Sequence, residues 1–193
     1  NNFSGPDFKG IEIKCFRLKD GAADQKKNLF LQEPQWVDGL PNMNSRIKAY
    51  GYIDTERNRN SLYSSVKVKQ NSHGLRIAID DKKRELSIEF QKKQIAIYPF
   101  DLIEKRLKEK LSDSVYIGAK RRKGRDGEEF HYCTLTYYAN PSTQEFVNLV
   151  KSGVINIELR MHEGRNHGTC FRILEGKLPY LYARTERIYE LVK

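Results

Sequence analysis

Asp7, Glu12 and Lys14 lie close together in the run Pro6-Asp7-Phe8-Lys9-Gly10-Ile11-Glu12-Ile13-Lys14. Two carboxylates can hold a divalent cation. An ammonium beside them can position a water and stabilise the charge that develops on a phosphoryl group, so the set has the donor types that metal-assisted phosphodiester hydrolysis needs. Glu12 and Lys14 are two apart, which on a strand puts both on one face, while Ile11 and Ile13 are expected to be buried on the other. Asp7 precedes the strand at a bend marked by Pro6 and Gly10, from which it can reach the same cation. An acid two before a lysine is common in so charged a chain. Asp80-Asp81-Lys82-Lys83 contains two such spacings but falls in a predicted hairpin turn, and Glu175-Gly176-Lys177 holds a turn-forming glycine. Only Glu12-Ile13-Lys14 sits in an apolar-alternating strand after a Pro-Asp pair, where the competing reading is a solvent-facing strand ending in charges.

A second group of residues suits base edges. Arginine donates two hydrogen bonds to O6 and N7 of guanine, and Asn, His and Thr read smaller patterns. The late stretch His162-Glu163-Gly164-Arg165-Asn166-His167-Gly168-Thr169-Cys170-Phe171-Arg172 mixes these types. Before it, Asn156, Glu158, Arg160 and His162 are expected to alternate outward while Ile155, Ile157, Leu159 and Met161 alternate inward. The candidate base contacts are therefore Arg160, His162, Arg165, His167 and Arg172, against the plainer reading of an exposed loop shaped by Gly164 and Gly168. Phosphate contacts are assigned to the tip carrying Lys120, Arg121, Arg122, Lys123 and Arg125, which could equally be a solvated charged turn. Arg57-Asn58-Arg59-Asn60, after Tyr50 and Tyr52, is a further basic stretch whose aromatics either stack on bases or pack. His73 and His131 are read as having no special role.

The elements that must position these residues are mostly strands. Ile11, Ile13 and Cys15 alternate with Glu12, Lys14 and Phe16, and Leu29–Leu31 form an apolar run ended by Pro34. Val66 with Val68, Ile77 with Ile79, Leu86–Phe90 and Ile95 with Ile97 predict a meander turning at Ser72-His73-Gly74 and at 80–83. Pro99–Leu111 reads as a helix with Leu102, Ile103, Leu107 and Leu111 on one face. A second helix is predicted over Ser142–Ser152, with Ser142 as N-cap, Glu145 in the capping-box position and Gly153 past the end. Val115–Arg122 and Glu128–Tyr138 flank the basic hairpin tip, strands follow at Val154–Met161 and Thr169–Leu174, and Leu178–Val192 is ambiguous between helix and strand. The result is a mixed α/β fold around a largely antiparallel sheet.

At 193 residues, with no repeat or Ser/Gly linker, the chain is expected to form one domain over 1–193. Its 38% hydrophobic and 11% aromatic content excludes disorder, and no run approaches the roughly 18 apolar residues of a membrane span. Lys+Arg 35 against Asp+Glu 25 gives a net charge of +10, which makes a polyanion, nucleic acid first, the partner to consider. The three cysteines, Cys15, Cys133 and Cys170, show no paired spacing, so neither a disulfide framework nor a zinc site is suggested. Reduced thiols in a cytosol are the accepted reading. The absence of an initiating methionine leads to the expectation of the C-terminal, catalytic part of a longer protein, with a DNA-binding domain as the candidate for the part before it.

The first stretch resembles the PD-(D/E)XK nuclease motif in its compact form, with four residues between Asp7 and Glu12, as in the MvaI/BcnI-type restriction endonucleases related to the mismatch-repair nickase MutH. Leu29–Trp36 is similar to the strand and proline turn that this family places after its catalytic strand, and 162–172 resembles its late base-reading loop. The resemblance implies a restriction-endonuclease-like fold in which Asp7, Glu12 and the main-chain carbonyl of Ile13 hold Mg²⁺, with Mn²⁺ able to substitute. Lys14 would orient or activate the attacking water, leaving 5′-phosphate and 3′-hydroxyl ends. It further implies a monomeric type II enzyme, cytoplasmic in a bacterium or archaeon, cutting duplex DNA at a short GC-rich sequence one strand at a time. One departure is that such enzymes carry a helical segment before the aspartate, and here six residues precede it. The alternatives are a repair-type nickase using the same three residues and a non-catalytic nucleic-acid-binding module that needs no cation.

Overall fold

The computed structural model describes residues 7–18 and 26–190; Pro6, at the bend before the candidate catalytic strand, lies outside them. In chain order the elements are β1 (Glu12–Arg17), β2 (Lys26–Leu31), β3 (Gln35–Trp36), α1 (Met43–Tyr50), β4 (Tyr52–Asp54) and β5 (Arg59–Val66). Then come β6 (Leu75–Asp80), β7 (Glu85–Phe90), β8 (Lys93–Pro99), α2 (Phe100–Leu111), β9 (Asp113–Lys123) and β10 (Glu128–Pro141). The last are α3 (Thr143–Lys151), β11 (Ile155–His162), β12 (Arg165–Asn166), β13 (Cys170–Leu174), a 3-10 segment (Glu175–Leu181) and β14 (Tyr182–Glu190). The mixed, sheet-dominated α/β architecture is the one expected.

The strands form three sheets. The catalytic candidates lie on the edge of the first, ordered β1-β9-β10-β14, in which β1 runs parallel to β9 and the other pairs are antiparallel. The base-reading candidates lie on the second, ordered β2-β13-β11-β5-β4, with β12 folding back on β11. The third, β3-β8-β7-β6, contains the predicted meander. Apolar alternation drives the joining of these layers. Phe30 of β2, Phe146 of α3 and Phe171 of β13 are buried with their ring centroids 5.1–5.9 Å apart, and Tyr98 of β8 meets Phe171 edge-on at 5.0 Å. Burying one such ring contributes about 1.5–3 kcal/mol.

Both predicted helices form for the reasons given by their sequence. α2 buries Phe100, Ile103, Leu107 and Leu111 and carries Lys108 and Lys110 in its last turn, where they oppose the helix dipole. In α3 the Ser142 side chain accepts the Glu145 N–H at 3.2 Å, and Phe146, Val147, Leu149 and Val150 turn inward.

The structure corrects the sequence reading in five places. Ile11 and Ile13 do not form the buried face of β1: Ile13 is 40% exposed, while Glu12, Lys14 and Phe16 take the half-covered side that faces the interior. Asn156, expected to point into solvent, is buried, its amide donating to Ser65 Oγ at 3.0 Å and Glu158 Oε1 at 2.9 Å. The strand expected at Val66–Val68 ends at Val66 and begins at Arg59. The ambiguous end resolves, over the described residues 178–190, into the end of the 3-10 segment followed by β14; 191 and 192 lie outside the described residues. α1 was not anticipated; only Ile47 and Tyr50 are buried in it, too short an apolar pattern to register, although Asn42 caps it by accepting the Ser45 N–H at 3.0 Å.

Candidate active site and nucleic-acid interface

A two-residue turn brings the three catalytic candidates together. Phe8 and Ile11 exchange both backbone hydrogen bonds, at 3.0 and 2.8 Å. Between them Lys9 and Gly10 have φ of 46° and 87°, the double left-handed geometry of a type I′ turn, which explains the glycine at the second position. The chain therefore doubles back and sets Asp7 beside the start of β1, where its Oδ2 accepts the Ile13 N–H at 2.9 Å. An N–H and C=O of one strand residue point to the same edge, so the Ile13 carbonyl faces Asp7 rather than β9. Lys14 Nζ donates to Glu12 Oε1 at 3.2 Å, the two side chains being 24% and 20% exposed.

Two carboxylates and a backbone carbonyl form an all-oxygen set, which suits Mg²⁺ or Mn²⁺ rather than a thiophilic ion. Among the described residues no three His, Cys, Asp or Glu side chains gather into a metal site. The donor types thus fit a hard divalent cation.

The second sheet collects the base-reading candidates on its polar face. Arg160 is held by its own loop: Nη2 donates to the His167 carbonyl at 2.8 Å and Nε to that of Gly168 at 3.2 Å, while His167 N–H returns to the Arg160 carbonyl at 2.9 Å. His162 and His167 have ring centroids 5.5 Å apart, and both lie against Tyr63 of β5, at 6.4 and 6.2 Å. Burial, followed by the charges of Arg165, His162, Arg160 and Arg59, holds the His167 imidazole below its usual pKa. Arg172 donates to the Lys26 carbonyl at 3.2 Å and lies 4.0 Å from Glu158. Arg165 is exposed in β12. Burial alone would raise the Glu158 carboxyl, but hydrogen bonds from Lys26 and Asn156 and the charges of Lys26 and Arg172 outweigh it and hold it low. Glu158 and Tyr63 belong to this face and were not singled out from the sequence. The outward alternation of β11 already pointed to Glu158, whereas Tyr63 needed the start of β5.

The basic hairpin is different. Arg121 pairs with Glu128 and Arg122 with Glu129, each at 2.6 Å across β9 and β10, so part of the cationic tip is balanced by its own partner strand. Lys123 and Arg125 lie beyond those pairs, at the turn. Ser114 sits opposite Glu12 in the register and Lys123 ends the same strand, so the tip is roughly 30 Å from the catalytic edge at about 3.3 Å per residue. It does not converge on the active site.

The family match, with the fold, places the protein among the type II site-specific DNA nucleases. The family model of the MvaI/BcnI restriction endonuclease family matches residues 1–182, and the chain belongs to that family. Its members generally use divalent metal ions. Among solved structures it is similar to the complex of restriction endonuclease MvaI with cognate DNA, with a TM-score of 0.73 and 22% identity over 97% of this chain and 82% of that one. MvaI in the absence of DNA gives a TM-score of 0.62 and 24% identity over 95% of this chain and 80% of that one. No curated protein sequence matches significantly. Among the described residues no helix is long and apolar enough to cross a membrane.

Proposed function

We propose that the protein is a Mg²⁺-dependent PD-(D/E)XK restriction endonuclease that acts as a monomer, one nuclease domain over 1–193, on bacterial or archaeal cytoplasmic DNA at a short GC-rich sequence. The observation that supports this reading is the type I′ turn, which sets Asp7 on the N–H of Ile13, the residue between the paired Glu12 and Lys14. Asp7, Glu12 and the Ile13 carbonyl hold the cation. When bound, Mg²⁺ or Mn²⁺ supplies Lewis-acid stabilisation of the phosphoryl charge and a water of lowered pKa. Lys14, steadied by Glu12, orients the attacking water and offsets charge on the phosphoryl oxygens. The bond from phosphorus to O3′ breaks, leaving 5′-phosphate and 3′-hydroxyl ends.

Arg160, His162, Arg165, His167 and Arg172 read bases, with the arginines directed at guanine edges. Arg121, Arg122, Lys123 and Arg125 contact phosphates farther along the duplex. The single active site cuts one strand and then the other. The test is incubation of long duplex DNA of known sequence with Mg²⁺, beside an EDTA control and the Asp7→Asn variant, followed by sequencing of the ends. The carboxamide can still accept the Ile13 N–H but lacks the charge for a cation, so cleavage should fall by about 10³-fold or more with folding intact. Undigested DNA in every arm would overturn the reading.

A further inference from the structure

Behind Glu12 and Lys14, on the same side of the first sheet, lie three hydroxyls that the chemistry above does not use. In the parallel register Ser114 stands opposite Glu12 and Tyr116 opposite Lys14, and Tyr138 of β10 stands opposite Ser114. Tyr138 meets the Tyr116 ring edge-on at 5.2 Å and lies tilted against Tyr182 at 5.0 Å, so the rings are fixed. Ser114, Tyr116 and Tyr182 are 0%, 5% and 7% exposed. Their hydroxyl oxygens are buried and gather around that of Tyr182, with no hydrogen bond of good geometry among them or to another group. Packing alone does not explain them, because Phe would fill the tyrosine positions without burying a polar group whose desolvation must be repaid. Burial, and last the nearby Glu12 carboxylate, holds both phenols above the ordinary tyrosine range.

We infer that Tyr116, supported by Ser114 and Tyr182, is a positioning residue for cleavage: once the cation is bound, its O–H turns to the buried side of the Glu12 carboxylate and fixes that carboxylate toward Asp7. Tyr116 does not touch substrate. It acts through Glu12, and the inference rests on the metal-dependent nuclease reading. Removing the hydroxyl leaves the ring and its packing in place but lets the carboxylate turn.

The experiment compares wild type with Tyr116→Phe, Tyr182→Phe and, as a control, Tyr180→Phe, whose ring is exposed. Melting temperature, duplex-DNA affinity in EDTA, calorimetric Mn²⁺ binding without DNA, and single-turnover cleavage across a Mg²⁺ series are measured for each. Tyr116→Phe should melt like wild type and bind DNA equally. It should bind Mn²⁺ about tenfold more weakly and need about tenfold more Mg²⁺ for half-maximal cleavage, the size of the one hydrogen bond to a charged group that the hydroxyl gains when the cation is in place. Tyr182→Phe should shift both in the same direction by less, and Tyr180→Phe neither. If Tyr116→Phe loses stability, Ser114→Ala removes a hydroxyl of the same cluster and must show the same shift. Wild-type metal dependence in a stable Tyr116→Phe variant overturns the inference while leaving the nuclease reading standing. A wild type that neither cleaves nor loses Mn²⁺ binding on Asp7→Asn overturns both.

Discussion

Lys27 of β2 holds its ammonium 3.9 Å from the centre of the Phe16 ring on β1, joining the sheet that carries the catalytic candidates to the sheet that carries the base-reading ones. The same ammonium lies 3.2 Å from Glu175, so one mostly buried cation ties β1, β2 and the 3-10 segment together. Replacing Lys27 by Met keeps the stem but removes both interactions. We expect Lys27→Met to cost about 1–2 kcal/mol, a figure typical of a desolvated cation–π contact. Urea unfolding measures this; an unchanged midpoint would mean that the contact adds nothing to the junction.

Gly10 sets the Asp7 geometry through its backbone alone. A Cβ there meets no atom within 4 Å, so a substitution is penalised only by the φ of +87°. Gly10→Val should therefore destabilise the turn by about 1–2 kcal/mol and move Asp7 away from Ile13, with cleavage falling much more than global stability. Gly10→Asn, which tolerates this region, should retain more activity. Equal loss in both variants would show that the turn conformation does not control the site.

Glu158 makes folding sensitive to acid. Its carboxyl is held low in the folded protein, so its stabilisation is present above the ordinary carboxylate value near 4.3 and is lost as pH falls through its lower folded value. Glu158→Gln should lower stability near neutral pH, where Lys26 and Arg172 lose their counter-charge, and flatten the acid limb of the stability curve. Urea midpoints between pH 6 and 3 would show this as two converging curves; parallel curves would remove Glu158 from the account.

His167 should give DNA affinity a slope of opposite origin. Its imidazole is held low by burial and then by the surrounding cations, so charging it costs the free protein: the folded state loses stability as pH falls below the ordinary histidine value near 6.5. A duplex reverses that environment. Affinity should rise as pH drops from about 7.5 to about 5.5, with proton uptake on binding, and His167→Gln should remove most of the slope. Equal slopes in both proteins would place His167 away from the DNA.

Much of the site was legible in the chain itself because its determinants are local. Gly10 between Phe8 and Ile11, the two-residue spacing of Glu12 and Lys14, and the strict alternation of β11 each encode geometry within a few residues. α2 and α3 were equally plain, since a 3.6-residue apolar stripe and a Ser142 cap need no distant partner. Periodicity, however, says that two faces exist without saying which meets the interior. The parallel pairing of β1 with β9, separated by about a hundred residues of chain, decided that Glu12 and Lys14 lie on the sheltered side and Ile13 on the exposed one. The same pairing set Ser114 and Tyr116 behind the catalytic pair, and the β9–β10 register put Glu129 opposite Arg122 and brought Glu128, opposite Lys123, diagonally within reach of Arg121. Such contacts depend on which strands become neighbours, and that choice follows from the burial of the whole core rather than from any one segment of the chain.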